Sequence, residues 1–423
     1  MICCPFLLII RFLQHCLVSI QTKEQLKMKP EYAERMALDR ISTLPQPILE
    51  TVLSLLSTEE AARTSILSKE WRYRWTTIPN LEFTLRKRFS ELTSDEESEM
   101  KYMDLHDLHQ VLLLRQGPIH ELTLSMEGYW EDDDLFEFEQ IILHLSRNHI
   151  VRKLELDASE LESHGYKLPI SVFALHHLKE LDLFSFTIEL PSIFNGFGSL
   201  VKLNLTDVKL SSKTLRRLLS NCPSLESLHV DIDESDDECT INELLKCLPV
   251  IEELSISSDV CEWLVLDSDP QELPISLVHL KVLHLEGMSF TEDSKSAFLL
   301  VLIKCSPNLE RICLNMAWRS KGDEEYPAVK NEYSNVWLEH LKELEISFWS
   351  RSHGMELLME FGKFILVRSP KLKKVSIFGL DDKCRESMIV NTLLGAPRAS
   401  PAVNFKINYP VPWSYPSTRT TPV

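Results

Sequence analysis

The sequence predicts an α/β protein in which a few short N-terminal helices precede a long array of strand–helix units with a parallel sheet. Three observations lead to this prediction. An apolar-x-x-apolar-x-apolar frame recurs ten times between residues 119 and 377. The stretches between the frames carry apolar residues at helical spacing. Residues 39–83 show a periodicity unlike anything downstream, which indicates a separate module.

The first 36 residues are predicted to be a poorly ordered extension. Their apolar stretch, MICCPFLLIIRFLQHCLVSI, is interrupted by Arg11, Gln14 and His15, and its longest uncharged run is too short for a membrane span. It has neither a basic leader nor a small-residue cleavage site, so we do not predict secretion. An organelle signal stays open as an alternative, as does a later start at Met28 or Met36.

Residues 37–85 are predicted to form a module of three short helices. Pro47 is tolerated in the first turn of a helix whose apolar residues then recur at helical spacing: Ile48, Val52, Leu53 and Leu55. Ser57 and Glu60 form a capping-box pattern for a second helix. Ser68 can cap a third helix, which carries two tryptophans. The following residues, 86–107, are acidic and aperiodic, and we predict a flexible linker there.

The repeated frame organises residues 108–408. Its ten copies lie at 119–124, 151–156, 178–183, 200–205, 225–230, 251–256, 280–285, 309–314, 341–346 and 372–377. The last three residues of each frame alternate as a short strand does, and a helix is expected between frames. Proline ends that helix two residues before four of the frames, at Pro223, Pro249, Pro307 and Pro370. One such unit cannot cover its apolar face, but stacked units bury each other's faces and form a solenoid.

The helical module resembles the F-box on five stretches: Leu44-Pro45, Leu55-Leu56, Ala61-Ala62-Arg63, Ser65-Ile66-Leu67-Ser68-Lys69 and Trp71-Arg72. The resemblance implies that the module binds a Skp-type adaptor of a cullin-based ubiquitin ligase. By this resemblance, the candidate adaptor-binding residues are Leu44, Pro45, Ile48, Leu49, Leu53 and Leu67. The alternative is that the helices only cap the end of the repeat array.

Residues 108–334 resemble the irregular leucine-rich repeats of plant proteins. The Asn or Cys that usually follows each repeat frame is absent here, so the regular side-chain ladder is not expected. Residues 335–408, with a strand at HLKELEI and another at SPKLKKVSI, resemble the FBD domain that closes many plant F-box proteins, and Asn404-FKI is a candidate edge strand. The predicted fold is therefore a three-helix F-box followed by an irregular leucine-rich-repeat solenoid. The proline-rich residues 409–423 are predicted to be a disordered tail.

No catalytic, cofactor or metal site is predicted. The sequence lacks GxSxG, GxxxxGK[ST], HExxH and GxGxxG. Its ten cysteines include no CxxC pair, which favours reduced thiols in the nucleus or cytoplasm, and Cys222 and Cys305 are predicted to be small buried hydrophobes. The 45 Lys and Arg against 63 Asp and Glu give a net charge of −18, which disfavours nucleic acid as a partner. The acidic clusters at 131–134 and 231–238 lack EF-hand spacing and are predicted to be solvated loops.

Within each frame, the residue between the last two apolar positions points away from the core, toward the concave face of such an array. We call these ten residues the polar row: Thr123, Glu155, Asp182, Asn204, His229, Ser255, His284, Cys313, Glu345 and Ser376. Three carboxylates predict a mildly acidic surface suited to a basic or polar protein segment. The candidate substrate-binding residues are Glu155, Asp182, Asn204, His229, His284 and Glu345. Simple solvation of an exposed sheet face is the alternative explanation.

The resemblances together predict the substrate-recognition subunit of a Skp–cullin–F-box ubiquitin ligase. Its expected partners are a Skp-type adaptor, through it a cullin, and an unknown protein substrate. Such a subunit is not an enzyme and needs no nucleophile, because it raises the effective concentration of substrate near chemistry done by other subunits. The alternative function is a leucine-rich-repeat interaction scaffold that is not incorporated in a ligase.

Overall fold

The computed structural model describes residues 41–42, 44–86, 103–161, 166–232, 239–257, 260, 264–265, 276–288, 293–316, 337–348, 355–378 and 391–408. The chain divides into two compact units, residues 1–199 and 200–423, which are described separately. The predicted extension at 1–36, the tail at 409–423 and most of the predicted linker at 86–107 lie outside the described residues.

The first unit begins with the helical module. Its elements are helix α1 (Gln46–Leu53), helix α2 (Thr58–Arg63) and two 3₁₀ helices, Thr64–Ile66 and Trp71–Thr77. The predicted capping box at α2 is confirmed: the Ser57 hydroxyl accepts from the Glu60 N–H at 3.3 Å, and the Glu60 carboxylate accepts from the Ser57 N–H at 3.2 Å. The predicted third helix is a 3₁₀ helix, and the Ser68 hydroxyl accepts from the first N–H of that helix at 3.3 Å.

The helical module has its own small core. Leu49 and Leu53 on α1 and Ala61 on α2 are buried together with Trp75. The indole N–H of Trp71 donates to the Ser42 hydroxyl at 2.6 Å, so the chain before α1 is tied to the second 3₁₀ helix. A buried tryptophan is stabilised when its ring packs among apolar groups and its indole N–H has a hydrogen-bond acceptor.

The first unit continues as a parallel sheet of four strands in chain order. These are β1 (Asn80–Arg86), β2 (Glu121–Gly128), β3 (Lys153–Leu161) and β5 (Glu180–Phe184). Helices α3 (Leu105–Leu113) and α4 (Asp132–Asn148) and a 3₁₀ helix (Ile170–Ala174) lie between them in sequence. Two short strands, β4 (Tyr166–Lys167) and β6 (Phe186–Thr187), form a separate pair. Strand β1 was not predicted from the sequence; it lies at the end of the stretch 37–85, extends to Arg86 and buries Leu81, Phe83 and Leu85 in strand alternation.

Two further boundaries differ from the sequence predictions. Helix α3 begins at Leu105, inside the predicted linker, because the Asp104 carboxylate accepts from the Asp107 N–H at 2.8 Å and caps it. The acidic cluster at 131–134 is not a loop: it starts α4, and the Glu131 N–H donates to the Asp134 carboxylate at 2.7 Å. Carboxylates suit this position because the N-terminus of a helix carries partial positive charge.

The second unit holds eight parallel strands in chain order: β7 (Lys202–Val208), β8 (Ser227–Ile232), β10 (Glu253–Ser257), β12 (Val282–Met288), β13 (Arg311–Met316), β14 (Glu343–Phe348), β15 (Lys374–Phe378) and β16 (Asn404–Asn408). Its helices are α5 (Ser212–Ser220), α6 (Ile241–Lys246), α7 (Asp293–Cys305) and α8 (Met355–Arg368). A separate pair joins β9 (Cys239–Thr240) to β11 (Leu264–Val265). The strand predicted at Asn404 is thereby confirmed as β16.

The frame residues form the core of both units. All thirty apolar frame positions are 2% exposed or less. Cys222 and Cys305 are buried as predicted. The predicted fold class, an N-terminal helical module followed by parallel strand–helix repeats, is confirmed. Among the described residues, no helix is both long enough and apolar enough to cross a membrane.

Candidate functional site

Helix α1 carries two apolar stripes rather than one. Leu49 and Leu53 lie four residues apart and are buried, whereas Ile48 and Val52 form the neighbouring stripe and are 47% and 42% exposed. A helix needs only one apolar stripe to pack against its own domain. The second stripe is therefore available to another molecule.

Further exposed apolar residues follow α1 in the same module. Leu55 and Leu67 are 82% and 68% exposed. We define the apolar surface of the helical module as Ile48, Val52, Leu55, Leu56, Ile66 and Leu67, which are all exposed. Clustered exposed apolar residues mark protein-binding surfaces more often than scattered ones do.

The six residues predicted to bind an adaptor fall into two groups. Pro45, Ile48 and Leu67 are exposed and Leu44 is half-buried, whereas Leu49 and Leu53 are buried in the module core. Val52, Leu55, Leu56 and Ile66 were not among the predicted adaptor-binding residues. For Val52 the signal was present in α1, where apolar residues occupy two adjacent stripes.

Polar contacts fix α1 within the first unit. The side-chain amide of Gln46 donates to the Thr77 hydroxyl at 2.9 Å and to the Glu50 carboxylate at 3.0 Å, and the Arg74 guanidinium donates to the side-chain oxygen Oε1 of Gln46. The Thr58 hydroxyl on α2 accepts from a backbone N–H of β1 at 2.9 Å. Helix α1 is thus tied to the second 3₁₀ helix, and α2 is tied to the sheet of the same unit.

The polar row of the first unit is acidic. Strand register places Glu82 of β1 beside Thr123, Thr123 beside Glu155, and Glu155 beside Asp182. Asp182 is buried, and Glu155 is half-buried. Burial raises the pKa of Glu155, and the neighbouring Asp182 carboxylate raises it further. Glu82 is an addition to the predicted row, and strand alternation in β1 is the signal that would have found it.

The polar row of the second unit carries histidines bonded to carboxylates. His229 Nδ1 lies 2.8 Å from the Ser255 hydroxyl, which donates to the Glu286 carboxylate at 3.2 Å. Two strands on, His284 Nε2 lies 3.2 Å from Oε1 of Glu253. Glu253 precedes Ser255 by two residues, and Glu286 follows His284 by two. Because side chains alternate along a strand, both carboxylates lie on the same sheet face as the polar row.

The His284 site contains a third group. The His284 side chain also hydrogen-bonds Cys313, its register neighbour on β13. Burial disfavours the imidazolium, but the hydrogen bonds to Cys313 and Glu253 outweigh that effect and raise the pKa of His284 to about 10. The hydrogen bond from His284 in turn lowers the pKa of Glu253.

The other two predicted substrate-binding residues also lie in the second unit. Asn204 and Glu345 are half-buried on β7 and β14, with Glu345 in register beside Cys313. Of the six predicted residues, Glu155 and Asp182 lie in the first unit and the other four lie in the second. Within the described ranges, no three His, Cys, Asp or Glu side chains are placed to hold a metal ion.

Comparison with known proteins identifies both parts of the chain. The F-box domain model matches residues 41–83, which contain the helical module and its apolar surface. A model described as "FBD-associated F-box protein At5g56370, LRR repeats" matches residues 140–253. The second match lies within the strand–helix repeats.

Similar plant proteins carry the same combination of domains in their names. "F-box/FBD/LRR-repeat protein At1g13570" of Arabidopsis thaliana is 29% identical, over 86% of this chain and 97% of its own length. "FBD-associated F-box protein At5g56370" of the same plant is 25% identical over 82% of this chain and 92% of its own length. "F-box/FBD/LRR-repeat protein At2g04230" is 35% identical over 49% of this chain and 45% of its own length. With an F-box match, a match to FBD-associated LRR repeats and relatives that share most of its length, the chain is similar to the plant F-box/FBD/LRR-repeat proteins.

Proposed function

We propose that this protein is the substrate-recognition subunit of a Skp–cullin–F-box ubiquitin ligase. In this function the F-box binds a Skp-type adaptor, the adaptor connects it to a cullin, and the repeats hold a protein substrate. The protein itself performs no bond chemistry, because its role is to raise the effective concentration of substrate.

The observation that carries the proposal is the exposed apolar surface of the helical module. F-box domains generally bind Skp-type adaptors, and here the F-box match contains the six exposed residues of the apolar surface beside a core of its own. Full burial of a leucine side chain contributes about 1.5–3 kcal/mol, so a partner that covers Leu55 and Leu67 gains substantial binding energy from two residues alone.

We assign the adaptor contact to the exposed residues and not to the whole predicted set. Leu49 and Leu53 are enclosed by their own domain, so they support the surface from beneath without touching a partner. Pro45, Ile48 and Leu67 remain in the proposed contact, and Val52, Leu55, Leu56 and Ile66 are added to it.

For substrate binding, we favour the polar row of the first unit over that of the second. Glu82, Glu155 and Asp182 occupy three of four adjacent register positions, and a basic protein segment would neutralise them. Burial and then the neighbouring Asp182 raise the pKa of Glu155, and a cation bound beside this carboxylate would stabilise its charged form.

The adaptor interaction is tested by co-purification of the full-length chain with a Skp-type adaptor. Leu55→Asp combined with Leu67→Asp places two charges on the apolar surface, and we expect adaptor retention to fall by at least tenfold. Leu113→Asp is the matched control, because Leu113 is an exposed leucine on α3, outside the apolar surface. Its retention should equal that of the wild type.

Two outcomes would count against the proposal. Equal retention by the double variant and the control would show that the adaptor does not use the apolar surface. No retention by a wild-type chain with native circular dichroism would favour the repeat scaffold that joins no ligase.

A further inference from the structure

Strand β16 is the last strand of the sheet in the second unit. Its inner edge pairs with β15 over its whole length, and among the described residues no strand pairs with its outer edge. The Asn404 N–H donates to the Lys373 carbonyl oxygen at 2.8 Å. Alternate residues of a strand turn their backbone groups to the same edge, so the Lys406 N–H also faces β15. The backbone groups of Phe405 and Ile407 therefore face outward.

The segment that leads into β16 is fixed to the repeat before it. The Ser400 hydroxyl donates to the Leu372 carbonyl oxygen at 2.7 Å, and the Ala399 N–H donates to the Leu366 carbonyl oxygen at 2.9 Å. Leu393, on the helical turn before β16, is buried. The outer edge of β16 is thus held in position in advance, which lowers the entropic cost of binding a partner there.

The apolar side chains of β16 are less enclosed than those of the strand beside it. Phe405 and Ile407 are half-buried, whereas their register neighbours Val375 and Ile377 on β15 are 1% exposed. The exposed Arg398 guanidinium lies 5.9 Å from the centre of the Phe405 ring. An array normally ends in a unit with a polar outer face. Apolar side chains left partly in solvent are typical of a face that another chain covers.

This end of the second unit is basic, although the whole chain has a net charge of −18. Lys406 is exposed and continues the polar row, in register beside Ser376. Within residues 368–378 and 391–408, both of which the structure describes, there is no Asp or Glu. The same two ranges contain six cationic side chains: Arg368, Lys371, Lys373, Lys374, Arg398 and Lys406. Such a surface is complementary to an acidic partner.

We propose that the outer edge of β16 binds an extended polypeptide segment of alternating apolar and acidic residues as a further parallel strand. Two apolar side chains of the segment lie beside Phe405 and Ile407, and the acidic side chain between them lies beside Lys406. Main-chain hydrogen bonds to an exposed sheet edge supply affinity, and alternate side chains supply specificity. A nucleic acid would match the positive charge but neither the strand edge nor the apolar side chains. The proposal does not depend on adaptor binding by the F-box.

The parallel arrangement determines which backbone nitrogens of the segment are used. Asn404 lies in register beside Lys374 and donates to the carbonyl oxygen one residue earlier, that of Lys373. By the same geometry, the acidic residue beside Lys406 donates to the Phe405 carbonyl oxygen. The N–H groups of the apolar residues then face away from β16. An antiparallel segment with the same side chains on each face would use the N–H groups of its apolar residues instead.

The test is fluorescence anisotropy of the full-length chain with a labelled heptapeptide, blocked at both ends, in which valine and glutamate alternate from an initial valine. We expect saturable binding with a dissociation constant of about 1–100 μM. Methylation of the glutamate backbone nitrogens should weaken binding about tenfold or more, because it removes the donors to β16. Methylation of the valine nitrogens is the matched control and should leave the affinity nearly unchanged.

Charge reversal at Lys406 separates recognition from a change in folding. Lys406→Glu should weaken binding of the valine–glutamate peptide about tenfold and strengthen binding of the corresponding valine–lysine peptide. A misfolded variant would not gain affinity for either peptide. Lys213→Glu, at an exposed lysine on α5, changes the net charge equally and should leave both affinities unchanged.

Four results would overturn the proposal. The first is no saturable binding of the valine–glutamate peptide by the wild-type chain. The second is equal affinity of the two methylated peptides, which would show that the strand edge is not used. The third is weaker binding of the valine-methylated peptide than of the glutamate-methylated one, which would indicate an antiparallel strand. The fourth is equally strong competition by single-stranded DNA of the same charge, which would indicate recognition of charge alone.

Discussion

The Arg115 guanidinium donates a hydrogen bond to the backbone carbonyl oxygen of Trp75 at 3.0 Å. A second N–H of the same guanidinium donates to the Ile78 carbonyl oxygen. Arg115 follows α3, whereas Trp75 and Ile78 lie at the end of the helical module, so one side chain connects the F-box to the first repeats. Burial lowers the pKa of Arg115 to about 10, and the charge of Glu50 partly opposes that shift.

Replacing Arg115 should weaken this connection. Arg115→Met keeps the aliphatic part of the side chain but removes both hydrogen bonds, and we expect a loss of about 1–3 kcal/mol in the free energy of unfolding. Arg63→Met is the control: Arg63 pairs only with Glu59 across an exposed helix turn, and its loss should cost less than about 0.5 kcal/mol. Urea denaturation followed by circular dichroism measures both, and equal losses would contradict the assigned role.

Gly117 should not tolerate a side chain. A Cβ at this position would lie 2.7 Å from the Thr77 carbonyl oxygen and 2.9 Å from its Cα, both of which are backbone atoms. We expect Gly117→Ala to lower the free energy of unfolding by about 1–3 kcal/mol. Gly198→Ala is the matched control, since nothing lies within 4 Å of the Cβ it would add. An unchanged denaturation midpoint for Gly117→Ala would show that Thr77 can move aside.

The acidic polar row of the first unit should be a site of electrostatic strain. The pKa of Glu155 is raised in the folded state, so the charged form is destabilising, and this cost disappears as falling pH protonates the carboxyl. We therefore expect Glu155→Gln to raise the denaturation midpoint at pH 7 and to match the wild type near pH 4. Glu189→Gln, which removes an exposed carboxylate paired with Lys167, should not raise it at pH 7. A stabilisation that persists unchanged to pH 4 would exclude the electrostatic explanation.

His284 should make the stability of the folded protein depend on pH in the alkaline range. Its pKa is about 10 in the folded protein against an ordinary value of 6.5, so its contribution is complete below pH 6.5 and is lost as the pH rises toward 10. The difference in stability between the wild type and His284→Gln should therefore shrink between pH 6.5 and pH 10. Chemical denaturation at both values measures it, and a difference that grows with pH would be incompatible with a charged imidazolium.

The repeat core was predictable because its signal is local and repeated. Each frame places three apolar residues at a spacing typical of a strand entering a buried turn, and all thirty are buried. Ile78, Leu81 and Phe83, which lead into β1, have the same spacing and are buried as well. Strand β1 was nevertheless missed, because these residues lie inside the stretch that was assigned to the helical module.

The candidate sites were predictable only in part, for two physical reasons. Helix α1 is apolar on adjacent stripes, so periodicity alone does not distinguish Leu49 and Leu53, which face the module core, from Ile48 and Val52, which face outward. The link between His284 and Cys313 depends on the register of two strands and the orientation of two side chains. A sequence pattern identifies the face that such residues share, but not the partner that each one selects.

The most direct measurement of the central claim is the dissociation constant of the full-length chain with a Skp-type adaptor, determined for two leucine substitutions. Leu67→Ala removes an exposed side chain of the apolar surface and Leu53→Ala removes a buried one. We expect Leu67→Ala to weaken adaptor binding at least fivefold with little change in unfolding free energy. Leu53→Ala should lower that free energy by about 2–5 kcal/mol and leave the affinity of the folded fraction nearly unchanged. An affinity that is insensitive to Leu67→Ala and lost on Leu53→Ala would contradict the account.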